Sequence, residues 1–349
     1  RWKFQKRSDY RHGSLSPKDD AQWTFEPHVA SEVYAAWIKK HKLSVFTGQR
    51  LLLKKNQGAL VEDGRIRQIV TESGDTFAGK MFIDATYEGD LMAMAAVKYA
   101  VGREANAQYG ETVNGVQTKG ARSHQFGGFI DPYVNKGDPN SGLLPGIDAN
   151  GPGTEGAGDH RVQAYCFRMC LTNAAANRIP IEKPAGYDER QYEMLLRYAE
   201  SAFYHAPSSK YDPMPNAKTD TNNHGAVSTD FIGQNYAYPD GDYQVRAEIV
   251  ERHRLYQLGY LWTLQHHPRV PERLKTYYRQ WGLPKDEFVN TNHWTPQLYI
   301  REARRMVGSI VMTQRHCEGR DVVEDPVGMG AYNMDSHHVQ RYVDAKGGV

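Results

Sequence analysis

The sequence predicts an α/β fold that carries an inserted α+β unit of mixed helices and strands. Three observations support this prediction. Apolar residues recur at helical spacing from Pro27, three turn signals divide residues 50–80 into short strands, and residues 84–90 lie where a strand runs into a helix. The chain has 349 residues, which is long enough to bury at least one core.

The first helix is predicted from Pro27, because a proline is tolerated in the first helical turn. Its apolar residues recur at intervals of three and four, which predicts one buried stripe: Ala30, Val33, Tyr34, Trp37 and Ile38. Residues 43–47 follow as a predicted short buried strand.

An antiparallel meander is predicted next. Its three strands are expected at residues 50–54, 65–71 and 76–80, with turn signals at 56–58, 62–64 and 73–75 between them. Residues 81–85 then form a predicted strand, and helical spacing resumes at Leu91. Small residues at such a junction let a ligand approach the backbone, but an ordinary helix start has the same pattern.

The middle of the chain is less regular. Residues 102–160 are rich in Gly, Asn, Asp and Pro and are too long for a passive connection. The following elements are predicted after them: a strand at 162–171, a helix at 188–204, a polar segment at 206–243, a helix at 243–266 and another helix after Pro271. We therefore expect three parts, at residues 1–101, 102–295 and 296–349.

The composition excludes several classes. Lys and Arg number 43 and Asp and Glu 41, so the formal net charge is +2 and no broad nucleic-acid surface is predicted. The longest apolar stretch, residues 91–101, is far shorter than the roughly 20 residues of a membrane helix. Three cysteines do not make a disulfide framework. The G-x-G-x-x-G match at 151–156 lacks a preceding strand and contains Pro152, so it is not a phosphate-binding loop.

Four motifs resemble the FAD-dependent oxidoreductase family, of the glutathione-reductase type and sometimes named xanthan lyase-like: FIDAT at 82–86, EGDLMA at 88–93, GRE at 102–104 and REARRMVG at 301–308. The resemblance implies a partial Rossmann-like FAD domain with a three-stranded meander, and a substrate or cap domain at 102–295. Family members begin with a Gly-rich dinucleotide motif and end with a flavin-binding segment. The resemblance therefore implies that this chain is a fragment lacking both.

The same resemblance implies the cofactor contacts. Ala85 and Thr86 would contact FAD through their backbone, with Glu88, Gly89 and Asp90 beside the ribose or pyrophosphate. Arg50 and Leu51, at the start of the meander, would offer backbone groups to the adenine.

Catalytic candidates come from the clusters of charged and polar residues. Arg301, Arg304 and Arg305 are three and four residues apart, and they can hold a carboxylate or a flavin edge or form a solvated face paired with Glu302. His337 and His124 are candidate acids or bases. A metal site is not predicted, because Asp335, His337 and His338 lack a clear further ligand.

Four further residues are substrate-binding candidates: Arg161, Tyr165, Arg168 and Asn333. The alternative for the first three is a half-exposed strand without a function. The predicted partner is a small-molecule or saccharide substrate, with no nucleic acid and no membrane. The sequence predicts neither the oligomeric state nor the compartment.

The leading hypothesis is an oxidoreductase that transfers hydride between FAD and a small organic or carbohydrate-type substrate. Two alternatives remain open. One is a polysaccharide lyase that acts by β-elimination, because the middle of the chain is rich in Tyr, His and Asn. The other is a non-catalytic fragment that binds a glycan or a partner.

Overall fold

The computed structural model describes residues 2–10, 24–204 and 209–349. Helices mix with four small sheets there, which confirms the α/β class in its coarse form. Every ladder among these residues is antiparallel. The described ranges therefore hold no parallel Rossmann-like sheet.

Helix α1 spans Pro27–Lys40, so the first predicted helix is confirmed. Its predicted burial is wrong, because Tyr34 is 64% and Trp37 is 56% exposed. The spacing of apolar residues defines a face, but burial needs a partner element, and this face is open to solvent. The strand predicted at 43–47 is also wrong: Val45 and Phe46 are exposed, and the segment pairs with no strand in the described ranges.

The three-stranded antiparallel meander is confirmed, but its first strand was placed wrongly. Strands β1 (Ala59–Glu62), β2 (Arg65–Val70) and β3 (Thr76–Ala78) pair in chain order. Asp63 and Gly64, both with positive φ, form the two-residue turn between β1 and β2. Leu51, expected inside a strand, makes one isolated bridge to Thr71.

Residues 81–85 do not form the predicted strand. They form no ladder with a described strand, and Met81 and Ile83 are 80% and 84% exposed. The predicted helix start is confirmed as α2, Asp90–Met94. The Asp84 carboxylate accepts from the backbone N–H of Leu91 at 3.0 Å and from the Thr86 hydroxyl at 2.7 Å.

The predicted strand at 162–171 is shorter and later, at Met169–Thr172 (β5), and most of residues 162–171 are buried on both sides. The polar segment at 206–243 contains an unexpected hairpin, β7 (Ser209–Met214) and β8 (Lys218–Asn223). Strand β8 pairs with both β5 and β7. Five shorter elements are β4 (Tyr99–Ala100), α3 (Asn106–Tyr109), β6 (Arg178–Ile179), β9 (Leu283–Pro284) and β10 (Arg305–Met306).

The core lies between these strands and three helices. Helix α5 spans Tyr243–His266, as predicted, and α6 spans Glu272–Arg279. The helix predicted at 188–204 is a 3₁₀ turn, Glu189–Tyr192, followed by α4, Glu193–Glu200. The inner face of α5 packs its aromatic and aliphatic side chains into one buried cluster: Ile249, Tyr256, Tyr260, Leu261 and Leu264.

The last part of the chain packs against the first. Strand β10 pairs antiparallel with β4, and α7 (Gln314–Cys317) follows it. The division of the chain into three parts, including the return of residues 296–349 to the first, stays a prediction. No helix in the described ranges is both long and apolar enough to cross a membrane.

A buried lysine ties the start of the described chain to this core. The Lys218 ammonium on β8 is fully buried and lies 2.7 Å from Glu26, 2.9 Å from Asp286 and 2.6 Å from Glu287. His28 also contacts Glu287, at 2.7 Å. These hydrogen bonds hold the pKa of Lys218 above its usual value against the opposing effect of burial. The lysine is therefore the counter-ion of three carboxylates.

Replacing this counter-ion tests its structural role. Lys218→Met leaves the carboxylates without their cation, so we expect the free energy of unfolding to fall by about 3–5 kcal/mol. Lys210→Met, on the neighbouring strand, removes an exposed ion pair with Asp212 and is expected to cost less than about 1 kcal/mol. Urea denaturation measures both. Equal losses in the two variants would contradict the account.

A buried neutral histidine predicts acid sensitivity. Burial lowers the pKa of His253, on α5, from 6.5 to about 4. Its Nδ1–H donates to the Ile249 carbonyl at 2.7 Å. The unfolded chain binds this proton more tightly, so the contribution of His253 is present above about pH 6.5 and is lost as the pH falls towards 4, by about 3 kcal/mol in all.

Urea denaturation from pH 7 to pH 4 measures this effect. We expect His253→Gln to lose less stability over that interval than the wild type does. The exposed His41→Gln is the matched control and is expected to follow the wild type. A wild-type pH dependence in His253→Gln would refute the assignment.

Candidate functional site

A cavity of about 1620 Å³ lies between the long loop at 102–160 and the C-terminal residues 332–349. Small-molecule sites usually have about 300–1,000 Å³, so this cavity has room for more than one ligand group. Its wall gathers four imidazoles from three distant segments of the chain: His124, His224, His337 and His338.

A buried carboxylate lies at the base of this cavity. Asp230 Oδ2 accepts from Nδ1 of His337 at 2.8 Å, and Oδ1 accepts from Nη2 of Arg301 at 3.1 Å. Burial raises the pKa of Asp230, but the His337 hydrogen bond and the Arg301 charge outweigh it, so the pKa lies below its usual value. Asp230 is therefore ionised and acts as an acceptor.

This acceptor fixes the tautomer of His337. A carboxylate accepts only, so Nδ1 of His337 carries a hydrogen, and in its neutral form the ring presents a lone pair at Nε2. None of the described hydrogen bonds uses that Nε2. The backbone N–H of His337 donates to the Gln163 side chain at 2.8 Å, which holds the segment in place.

Asn223 gives His124 the opposite tautomer. Arg301 Nη2 donates to Asn223 Oδ1 at 3.2 Å, so the amide nitrogen points to the histidines. Since Nδ1 of His337 already carries a hydrogen, this amide donates to Nδ1 of His124, 3.3 Å away. Burial, followed by the charge of His224, lowers the pKa of His124. The neutral His124 then presents an N–H at Nε2.

The structure brings His124 and His337 together but places the third predicted catalytic residue behind them. Arg301 has a side chain only 5% exposed, and it contacts Asp230, Asn223 and the thiol of Cys166. The expectation that it contacts flavin or substrate is corrected, because its guanidinium is covered by its partners. Arg301 acts through them, as a positioning residue.

Arg305 lines the cavity, but its charge is paired. It contacts Glu104 at 2.7 Å and Glu302 at 3.3 Å, and it donates to the Gly102 carbonyl. The pairing with Glu302 agrees with the alternative interpretation of the arginine cluster, a face paired with Glu302. Burial raises the pKa of Glu302.

The predicted adenine contacts lie on the surface. Arg50 pairs with Glu72 at 2.5 Å and lies over the ring of Tyr243, 4.6 Å from its centroid. The Leu51 carbonyl accepts from the Tyr243 hydroxyl at 3.0 Å. That carbonyl already has a partner, so a nucleotide would have to share it.

The corner predicted to border the FAD site is open to solvent. Ala85 and Thr86 are exposed, and they line neither the cavity of the four imidazoles nor the smaller one beside Trp294. Glu88 accepts from the Tyr238 hydroxyl at 2.8 Å, and Gly89 has φ 66° at the start of α2. The expected nucleotide cleft at this corner is therefore not formed by the described residues.

Asp90 is buried and fully engaged. It accepts from Arg246 at 2.6 and 2.8 Å and from Arg304 at 2.6 Å. Burial raises its pKa, but these two arginines outweigh it and lower the pKa. Asp90 joins α2 to α5 and to the segment after Ile300, which is a structural role.

The four predicted substrate-binding residues do not line the cavity. Arg161 pairs with Asp159 and Asp148, and Arg168 pairs with Asp220. Tyr165 is fully buried and donates to the Glu302 carbonyl at 2.5 Å, so it cannot reach a substrate. Asn333 is exposed beside cavity residues 332 and 334 but does not line the wall.

Sequence reasoning missed the residues that organise the site. Asp230 and Asn223 lie in the segment that looked only polar and Asn-rich, and His224, Gln163 and Arg341 were not singled out. Asp230 lies 107 residues from His337 and 71 from Arg301, so no local spacing relates them. The one local signal for Asp230 is that it directly follows Ser228 and Thr229.

The family described as FAD dependent oxidoreductase matches residues 1–349. The chain belongs to this family. It is an FAD-dependent oxidoreductase, its cofactor is FAD, and its activity is flavin-dependent redox chemistry. Comparisons with curated proteins and with solved structures find no match.

The cavity of this oxidoreductase fits a flavin ring. A flavin ring carries both hydrogen-bond donors and acceptors, and besides the histidines the wall presents amide and hydroxyl side chains that offer both, among them Gln117, Gln125 and Ser336. The volume also leaves space for a substrate beside the ring. His124 and His337 would lie beside the reacting end of FAD, with their Nε2 atoms left free for the substrate.

A substitution at Asp90 tests whether this residue contacts the cofactor or has a structural role. Asp90→Asn weakens the attraction to two buried arginines, so we expect a loss of about 3–5 kcal/mol in unfolding free energy. Asp240→Asn is the matched control: Asp240 also contacts Arg304, at 2.9 Å, but its side chain is 58% exposed. We expect less than about 1 kcal/mol for it.

Thermal and urea denaturation measure the stability of both variants, and fluorescence titration measures their FAD affinity. Unchanged stability together with weaker FAD binding in Asp90→Asn would contradict the structural role and favour direct contact with the cofactor.

Proposed function

We propose that this flavoprotein oxidises a small organic or carbohydrate-type alcohol by hydride transfer at the cavity of His124 and His337. The observation that carries the proposal is the 2.8 Å hydrogen bond from His337 Nδ1 to the buried Asp230. A histidine oriented by a carboxylate is a general base whose free nitrogen faces the reacting group.

In this reaction His337 Nε2 takes the proton of the substrate hydroxyl, and the Asp230 carboxylate stabilises the positive ring that results. Nε2–H of His124 donates to the substrate oxygen and holds it in place. Arg301 keeps Asp230 and Asn223 in position from behind. Bound FAD would supply the acceptor for the hydride that leaves the substrate carbon.

The proposed architecture follows the family. Residues 1–101 would belong to a partial Rossmann-like FAD domain, 102–295 would form a substrate or cap domain, and 296–349 would return to the first. The pairing of β10 with β4 and the Asp90 to Arg304 contact support this arrangement. Ala85 and Thr86 remain proposed cofactor contacts whose enclosing wall is not formed by the described residues.

Asp230→Asn tests the base. An amide in place of the carboxylate removes the charge that orients and stabilises His337, so we expect kcat/KM to fall by about 10²–10⁴-fold. His337→Gln changes the more accessible partner of the pair, and its kcat/KM should fall as far. Asp335→Asn is the matched control, since Asp335 also lines the cavity but is exposed.

The assay follows loss of the oxidised flavin absorbance in FAD-loaded protein, without oxygen, over a panel of sugars, sugar acids and hydroxy acids. Wild-type rates in both Asp230→Asn and His337→Gln would overturn the proposal.

A β-elimination lyase is the second candidate, because a histidine base beside an amide and a cationic wall is also what that reaction needs. Its assay measures the absorbance of an unsaturated product from an acidic polysaccharide in protein freed of flavin. Product formation there, with no flavin reduction by any substrate, would favour the lyase.

A further inference from the structure

Four of the described arginines line the cavity, of which Arg122 is exposed, and the three half-buried ones differ in what balances their charge. Arg103 pairs with Asp159, and Arg305 pairs with Glu104 and Glu302. Arg341 has no ion pair within residues 2–10, 24–204 and 209–349. Its guanidinium donates to the Ala226 carbonyl, a neutral group, and lies over the Phe126 ring, 5.8 Å from the centroid.

The surroundings of Arg341 do not supply the missing negative charge. Burial, followed by the charge of Arg341, lowers the pKa of the neighbouring His338 to about 4, so that ring is neutral. His338 Nε2 lies 3.0 Å from the Gln125 amide. Asp230 is close enough to affect Arg341 electrostatically, but its carboxylate is already paired with Arg301 and accepts a hydrogen bond from His337.

A partly buried guanidinium without a counter-ion is unfavourable unless a ligand supplies one. Burial lowers the pKa of Arg341, but an arginine stays charged in proteins. One Nη–H donates to the Ala226 carbonyl. The remaining N–H groups form a planar fork, which matches the two oxygens of a carboxylate.

We propose that Arg341 anchors an anionic group in this cavity and that the group is a carboxylate of the substrate. The inference rests on the proposed function and adds the substrate class. Arg341 and His337 line the same cavity, so a substrate held by its carboxylate at Arg341 would place a hydroxyl at His337. The class is therefore a hydroxy acid or sugar acid rather than a neutral alcohol.

FAD supplies a second anion of related chemistry, its pyrophosphate. The experiment separates the two sources by measuring substrate-analogue binding and FAD binding in the same variants. The variants are Arg341→Gln, which removes the charge, and Arg341→Lys, which keeps the charge but loses the fork. Arg122→Gln is the matched control, because Arg122 lines the same cavity but is exposed.

The probes are glucuronate and its neutral counterpart glucose, titrated into FAD-loaded protein by calorimetry. We expect wild type to prefer glucuronate and Arg341→Gln to lose that preference, with glucuronate affinity falling by about 10- to 100-fold. Arg341→Lys should lose less of its glucuronate affinity, and the glucuronate affinity of Arg122→Gln should match that of wild type. FAD affinity should be unchanged in every variant.

Two results would overturn the proposal. One is a wild type that binds glucuronate no better than glucose. The other is an Arg341→Gln variant that binds glucuronate normally and FAD weakly, which would assign the arginine to the pyrophosphate. Binding does not depend on turnover, so loss of glucuronate binding in Arg341→Gln would support the anchor even if no substrate reduced the flavin. Loss of glucuronate binding in Arg341→Gln together with no flavin reduction by any substrate would refute only the proposed hydride transfer.

Discussion

The buried carboxylate of Asp230 is the interaction on which the site depends. An ionised group with a side chain 5% exposed is tolerated only when it is paired, and here Arg301 and His337 pair it from two distant segments. The pairing brings the segment after β8, the segment after Ile300 and the C-terminal residues to one place. The same contact that stabilises the charge orients the histidine at the cavity.

Two other clusters of buried charge assemble the chain in the same way. Lys218 joins β8 to Glu26 and Glu287, and Asp90 joins α2 to Arg246 and Arg304. Each cluster links segments that are far apart in sequence and form few regular ladders with each other. Membership of the FAD-dependent oxidoreductase family explains the need for a polar cavity, and these clusters explain how a chain with only short strands encloses one.

Local physics explains which parts of the fold were predictable. Helix α5 and the meander depend on periodicity and turn residues, so the sequence located them, with α5 at its observed bounds. Burial of the α1 stripe and of residues 43–47 depends on neighbouring elements, and periodicity contains no information about those. His124 and His337 were identifiable from residue type, whereas Asp230 gains its role from partners 71 and 107 residues away.

The central claim is that the two histidines at the cavity carry opposite tautomers, set by Asp230 and Asn223. Nitrogen-15 NMR of histidine-labelled protein, assigned with His124→Gln and His337→Gln, reads the protonation of each ring nitrogen directly. We expect the neutral ring of His337 to carry its proton on Nδ1 and none on Nε2, with the reverse for His124. A protonated Nε2 and bare Nδ1 on His337 would contradict this claim, because Asp230 would then accept no hydrogen from that ring.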